Sequence, residues 1–252
     1  MNDIVDVLWR VHNDPAGGHE AALQGTTISF EEGQQLQLDL LQRWLEAGHE
    51  LGGWKIGMTS GANRNGMGDG IRPFGFILKD RIKPSGAALP LASLHKGQVE
   101  NELCIVMDKP LGAGATRETA RAAARGVAPA FEINQKRLPP DADTGLRVAD
   151  DLSNWGIVVG DVAPIPNEET LAGLVVSLSD EAGEIERVAS AGHIDEHFES
   201  VAILACTLAE YGHQLQPDQP VITGAYGKTP FAAGTYSGAF EPDIGSVSVK
   251  LQ

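Results

Sequence analysis

Cysteine is scarce in this chain, and basic residues are outnumbered. Cys104 and Cys206 each sit inside an apolar run, which suits reduced buried thiols and excludes a disulfide framework or a cysteine-rich metal cluster. Nineteen Lys and Arg stand against 34 Asp and Glu, a formal charge of -15. That balance disfavours a nucleic-acid backbone or an anionic membrane as partner, because both reward clustered cations. There is no apolar run approaching the ~18 residues that span a bilayer. The start, Met1 to Asp6, lacks the positive and apolar regions of a secretory signal. A cytoplasmic protein is therefore expected. No G-x-S-x-G, no strand-associated G-x-G-x-x-G and no closely spaced Cys and His set occurs, so serine hydrolysis, dinucleotide binding and zinc-finger readings have no support.

What is present is an unusual placement of acids. The stretch Val99-Glu100-Asn101-Glu102-Leu103-Cys104-Ile105-Val106-Met107 reads as a strand, and residues two apart on a strand share a face. Glu100 and Glu102 thus point the same way just before both faces turn apolar. A second apolar run, Pro129-Ala130-Phe131-Glu132-Ile133-Asn134, carries Glu132, and neither run contains a basic residue. If Glu132 folds back beside the pair, three carboxylates converge, and a hard divalent cation with oxygen ligands, Mg2+ or Mn2+, would relieve their repulsion. The alternative is an E-x-E on the wet face of an ordinary strand.

With 252 residues, 42% of them apolar, the chain can bury a substantial core. Residues 1–27 read as a weakly specified arm. Ser29 with Glu32 forms a capping-box pattern ahead of Leu36, Leu40, Leu41, Trp44 and Leu45, predicting a helix over about 30–47. Lys55 follows in Gly53-Trp54-Lys55-Ile56-Gly57-Met58-Thr59-Ser60, flanked by apolar residues and by a glycine-rich loop over 61–72. Helices are expected at about 116–125 and 196–210, a strand at 157–161, a β-like run over Thr170 to Ser179 with Ile185 to Ala189 as its hairpin partner, and three strands at the C-terminal end. This order is not a βαβ repeat, and it predicts an α+β chain, with an N-terminal helical cap over 1–50 and a β-rich roll or barrel-like core over 51–252.

Two motif fragments are set aside. Gly224 to Thr229 ends like a phosphate-binding loop, but Ile222 stands where its first glycine belongs and Pro230 follows. His193, Glu196 and His197 have the order of an inverted zinc motif without a firm helix beneath the first histidine.

Taken together, five landmarks resemble the 2-keto-4-pentenoate hydratase and 4-oxalocrotonate decarboxylase branch of the fumarylacetoacetate hydrolase superfamily. They are Gly53 to Ser60, Val99 to Glu102, Pro129 to Glu132 with Arg137 beyond it, Val148 to Asn154, and Val221 to Gly224 with Ile244 to Val247. The resemblance implies a mixed β-rich core, a Mg2+ or Mn2+ ion, a homo-oligomer, and a small 2-oxo or 2-hydroxy-dienoate acid as substrate. By position it implies Glu100, Glu102 and Glu132 as metal ligands, Lys55, Asp150 and Ser60 as catalytic groups, and Lys55, Ser60, Ser153 and Arg137 as substrate contacts. Hydration of a 2-hydroxy-2,4-dienoate to a 4-hydroxy-2-oxo acid is the expected reaction. The alternatives are decarboxylation of a 4-oxalocrotonate-type acid, C-C bond hydrolysis, or a non-catalytic complex partner. Asp151, Leu152 and Lys136 depart from the family pattern, which puts the far end of the substrate in question.

Overall fold

The computed structural model describes residues 2–252. In chain order the elements are α1 (Asn2–Asn13), α2 (Phe30–Glu46), β1 (Leu51–Ile56), β2 (Phe74–Leu78), β3 (Ile82–Pro84), β4 (Ala87–Leu89), β5 (Gly97–Met107), α3 (Arg117–Ala123) and β6 (Ala124–Gln135). There follow α4 (Thr144–Ala149), β7 (Asn154–Val159), α5 (Glu168–Ala172), β8 (Val175–Asp180), β9 (Gly183–Ala189), α6 (His197–Glu210), β10 (Pro220–Pro230), β11 (Gly234–Glu241) and β12 (Gly245–Leu251).

The capping box expected at Ser29 is present: its hydroxyl accepts from Glu32 N while the Glu32 carboxylate accepts from Ser29 N, so α2 starts where two orphan donors are satisfied. Three local expectations are corrected. Residues 2–13 form a twelve-residue helix, because Val7, Leu8 and Val11 recur at helical spacing and are buried. The α3 helix does not run on to Gly126 but passes at Ala124 straight into β6. The β-like run over Thr170 to Ser179 begins instead as α5, capped by Asn167, which accepts from Thr170 N, and becomes a strand only at Val175.

The strands form two sheets, one of seven strands in the order β2-β1-β10-β5-β6-β7-β3 and one of five in the order β4-β12-β11-β8-β9. Neither closes on itself, so the barrel-like expectation gives way to a mixed α+β fold of N-terminal helices on two open sheets. Period-2 alternation divides β5. Val99, Leu103, Ile105 and Met107 face the main core with residues of α1, α2, α6 and the second sheet, and Asn101 on that face donates to Ser177 O of β8 at 3.0 Å. Cys104 and Val106 face a smaller apolar cluster with Ile77, Ala128, Ala130, Ile157 and Ile222. Glu100 and Glu102 lie on this second face, at the end where its apolar residues stop.

Candidate metal centre

The register of the large sheet decides the site. β5 and β6 run antiparallel with Glu100 directly opposite Glu132 and Glu102 opposite Ala130, so three carboxylates share one face within two rungs. One oxygen from each lies within 4.8 Å of the others. Lys55 enters from β1, three strands from β6 across β10 and β5, and its ammonium pairs with Glu132. Asn154 at the start of β7 donates to Glu132 Oε1 at 2.9 Å. The neighbouring strands β1, β10, β5, β6 and β7 thus each supply a group to one end of one face.

Between β10 and β5 the ladder slips twice. Ile222 pairs with Cys104, Ala225 with Glu102 and Lys228 with Glu100, so two residues of β10 oppose one of β5 in each interval. Such bulges bend a strand and free backbone groups. Gly224 uses the first one: its N–H donates to Glu102 Oε2 at 2.6 Å. Its φ of +127° and the close approach of Thr59 Oγ1, 2.1 Å from where a Cβ would stand, leave no room for another residue.

The electrostatics are unbalanced. Burial pushes the Glu102 carboxyl well above the usual range, and Glu132 beside it adds to the rise; Glu100, the partly exposed member, is raised for the same two reasons. Burial alone would lower the Lys55 ammonium, but Glu132 and Glu102 outweigh it and hold it above its ordinary value. Three carboxylates therefore face one ammonium. An oxygen-only donor set with excess negative charge fits a hard divalent cation, and Glu100, Glu102 and Glu132 are the residues that would hold it.

This cluster forms the floor of a cavity of about 430 Å³. Ser60 and Ser153 line it, Ser60 being held by a bridge to Ile194. Leu152 and Ser153 reach it through an uncommon turn: Asp151, Leu152 and Ser153 have φ of 56°, 50° and 66°, three successive left-handed residues. Each costs about 1–2 kcal/mol, and the turn sends Asp151 the other way, to accept from Phe76 N at 2.8 Å. Burial pushes the Asp151 carboxyl well up, with Lys55 opposing.

Asp150 and Arg137 stand elsewhere, away from the cavity wall. Arg137 Nε donates to Asp150 Oδ1 at 3.0 Å, Nη2 to Asp150 O at 2.9 Å and Nη1 to Asn154 O at 2.9 Å, with Asp150 0% and Arg137 2% exposed. His12 of α1 also reaches Asp150 Oδ1, at 3.0 Å. This is a sealed clamp behind the turn, so the direct catalytic role expected of Asp150 and the substrate contact expected of Arg137 are not placed within reach of the cavity. The reason is the turn itself, which points Leu152 and Ser153 at the pocket and leaves Asp150 on Arg137.

Other cavity residues had little or no sequence signal. Gln98 and Asn134 extend the Glu100 and Glu132 faces by one period-2 step and were findable that way. Arg147, His193, Tyr226 and Lys228 also line the cavity, and only the packing of α4, the loop before α6 and the bulged β10 brings them there.

No protein-family model matches the sequence. The chain is 31% identical over 216 residues to a 2-hydroxypent-2,4-dienoate hydratase of Pseudomonas putida, covering 84% of this chain and 97% of that protein. It is 28% identical over 204 residues to a 4-oxalocrotonate decarboxylase of a Pseudomonas species, covering 79% and 77%. Its fold matches that of the 4-oxalocrotonate decarboxylase from Pseudomonas putida G7, a structure complexed with magnesium and adipate, with a TM-score of 0.86 over 100% of this chain and 98% of that one at 24% identity.

Proposed function

The chain belongs to the 2-keto-4-pentenoate hydratase and 4-oxalocrotonate decarboxylase family of the fumarylacetoacetate hydrolase superfamily, and on that premise we propose that it is a Mg2+- or Mn2+-dependent lyase for a 2-oxo or 2-hydroxy-dienoate acid. The observation that carries this reading is the excess of buried carboxylate over ammonium on the floor of an open cavity. When bound there, a divalent cation supplies the positive charge against which a 2-oxo acid can chelate and on which charge at its C2 oxygen is stabilised.

The remaining steps fall to the chain. Lys55, held charged by Glu132 and Glu102, faces the substrate's C1 carboxylate or delivers a proton to the enolate. Ser60 and Ser153 donate hydroxyls to the same carboxylate, and Leu152, Met58 and Met67 present an apolar wall to the diene. Arg147 and Lys228 add two cations to the cavity lining against one further carboxylate, Glu186, and are the groups that would receive a second substrate carboxylate.

That second cationic contact favours the decarboxylation branch. In a 2-oxo-3-enedioate the C5–C6 bond breaks, C6 leaves as CO2, and its electron pair moves through C4 and C3 to the C2 oxygen, giving a dienolate that takes one proton. The 28% identical 4-oxalocrotonate decarboxylase supports the same branch. Hydration is the second reading, supported by the 31% identical hydratase: ketonisation of the dienol places a double bond in conjugation with C2, and water adds at C4. Both branches need the same charge stabilisation at C2.

The test is a panel of 2-oxo-3-enedioates and 2-hydroxy-2,4-dienoates with Mg2+ or Mn2+, following CO2 release and dienol absorbance. CO2 release from the diacid supports the first reading; loss of dienol absorbance without CO2 supports the second; neither with any metal sinks both. Lys55→Met should lower turnover ~100-fold or more while Mn2+ affinity, measured by calorimetry, is kept or tightened. Unchanged turnover would remove Lys55 from the mechanism.

A further inference from the structure

Beside the three carboxylates runs a chain of buried polar groups that the proposed reaction does not use. Thr223 occupies the first bulge of β10 next to Gly224, and its hydroxyl donates to Leu103 O, the carbonyl adjoining Glu102, at 2.9 Å. Thr59 Oγ1 donates to Thr223 O at 2.9 Å. His197, in the first turn of α6, places Nδ1 2.8 Å from Thr223 Oγ1 and Nε2 2.9 Å from the Tyr226 hydroxyl, which also meets Ser190 Oγ at 2.8 Å.

The proton directions follow from counting donors. The single Thr223 hydroxyl proton goes to Leu103 O, so Thr223 Oγ1 accepts from His197 Nδ1–H. A neutral imidazole then has only an acceptor at Nε2, and Tyr226 donates to it. Burial, lowering the His197 pKa to about 4, keeps the ring neutral, and the Thr223 and Tyr226 hydroxyls select this tautomer. The bulges fall on either side of the Ala225–Glu102 rung, so Leu103 has no single residue of β10 opposite it, and the Thr223 hydroxyl ties its carbonyl to the bulge next to Gly224.

We propose that His197 is a positioning residue for the Glu102 carboxylate, acting through its Nδ1–H on Thr223 and thence on the Gly224 amide that holds Glu102 Oε2. The inference rests on the reading of Glu100, Glu102 and Glu132 as cation ligands. Groups that orient ligating carboxylates typically change metal affinity about 10–100-fold when removed.

The two ends of the imidazole separate the idea from a general packing role. Asn at this position can present an amide N–H near where Nδ1 stands, whereas Gln extends toward the Nε2 position. Mn2+ alone is titrated into the full chain by calorimetry, with folding of each variant verified by circular dichroism. His197→Phe and His197→Gln should weaken Mn2+ binding about 10-fold, and His197→Asn should recover affinity to within about 3-fold of the parent. Thr223→Val should match His197→Phe, and the double variant should be no weaker than either single one, because both break one path. Ser190→Ala, which touches only the Tyr226 hydroxyl, should leave affinity unchanged. Equal Mn2+ affinity in parent, His197→Phe and Thr223→Val overturns the proposal, as does recovery by Gln rather than Asn. A parent that binds no Mn2+ overturns the ligand reading beneath it, a result distinct from equal binding by all variants.

Discussion

Among the described residues two buried ionic clusters differ in charge balance and in access. In one, Glu100, Glu102 and Glu132 meet a single lysine beneath an open cavity. In the other, Asp150 meets Arg137 and His12 in a sealed space, and two further guanidinium hydrogen bonds end on backbone carbonyls. A sealed cluster whose carboxylate and guanidinium pair one to one holds segments together, here α1, the chain just after β6 and the turn after α4. An open cluster with charge left over calls for a ligand. Burial alone does not separate the two, since Glu102, Glu132 and Asp150 are all nearly inaccessible.

The sharpest way to break this contrast is to neutralise one carboxylate in each cluster. Asp150→Asn should destabilise the fold by about 3–5 kcal/mol, because Arg137 would keep a buried charge without its counterpart. Urea unfolding measures this, and Mn2+ affinity of the folded protein should stay near the parent's. Glu102→Gln should act in the opposite sense. It should lower Mn2+ affinity ~100-fold, about 2.7 kcal/mol, yet raise the melting temperature of the metal-free protein, because one of three repelling buried carboxylates is gone while its oxygen still accepts from Gly224 N. If Glu102→Gln melts lower than the parent without metal, the leftover charge is not a liability and the contrast fails.

A pH series sharpens the sealed side. His12 is buried, which lowers its pKa from 6.5 to about 4. As pH falls below 6.5 the unfolded chain takes up a proton there that the folded chain does not accept until about 4, so stability present above 6.5 is lost across that window. The contribution is at most about 1.4 kcal/mol per pH unit, and His12→Gln should flatten the unfolding free energy against pH by that share. An unchanged slope would mean that His12 binds its proton alike in both states. The smallest expected effect belongs to the cavity rim: Arg147→Gln or Lys228→Gln should raise KM for a diacid about 5–10-fold, about 1 kcal/mol, and leave KM for a monoacid alone. Equal effects on both would remove the second-carboxylate contact from the substrate proposal.

Much of the fold was legible because local chemistry agreed with it. The Ser29 capping box started α2 where expected, the period-2 face of β5 placed Glu100 with Glu102, and the turn at Asp180 to Gly183 joined β8 to β9. The failures have local causes as well. α1 carries its buried residues at helical spacing without a capping signal of the Ser29 kind, and α5 is a single capped turn that resembles the start of the strand after it. Whether the sheets close is set by long-range pairing, and here β3 and β2 remain as edges of the larger sheet.

The sequence by itself determined the ingredients of the candidate site: Glu100, Glu102 and Glu132 without a nearby base, Lys55 among glycines, and landmarks enough to identify the family. It did so because residue type and period-2 spacing are local properties. Only the tertiary structure decided which ingredients meet. The β5–β6 register put Glu132 opposite Glu100, the bulges of β10 gave Glu102 a backbone donor, and three left-handed residues turned Ser153 toward the cavity while leaving Asp150 with Arg137. Each of these depends on a one-residue shift of register or a change in the sign of φ, and either one reverses the direction in which a side chain points.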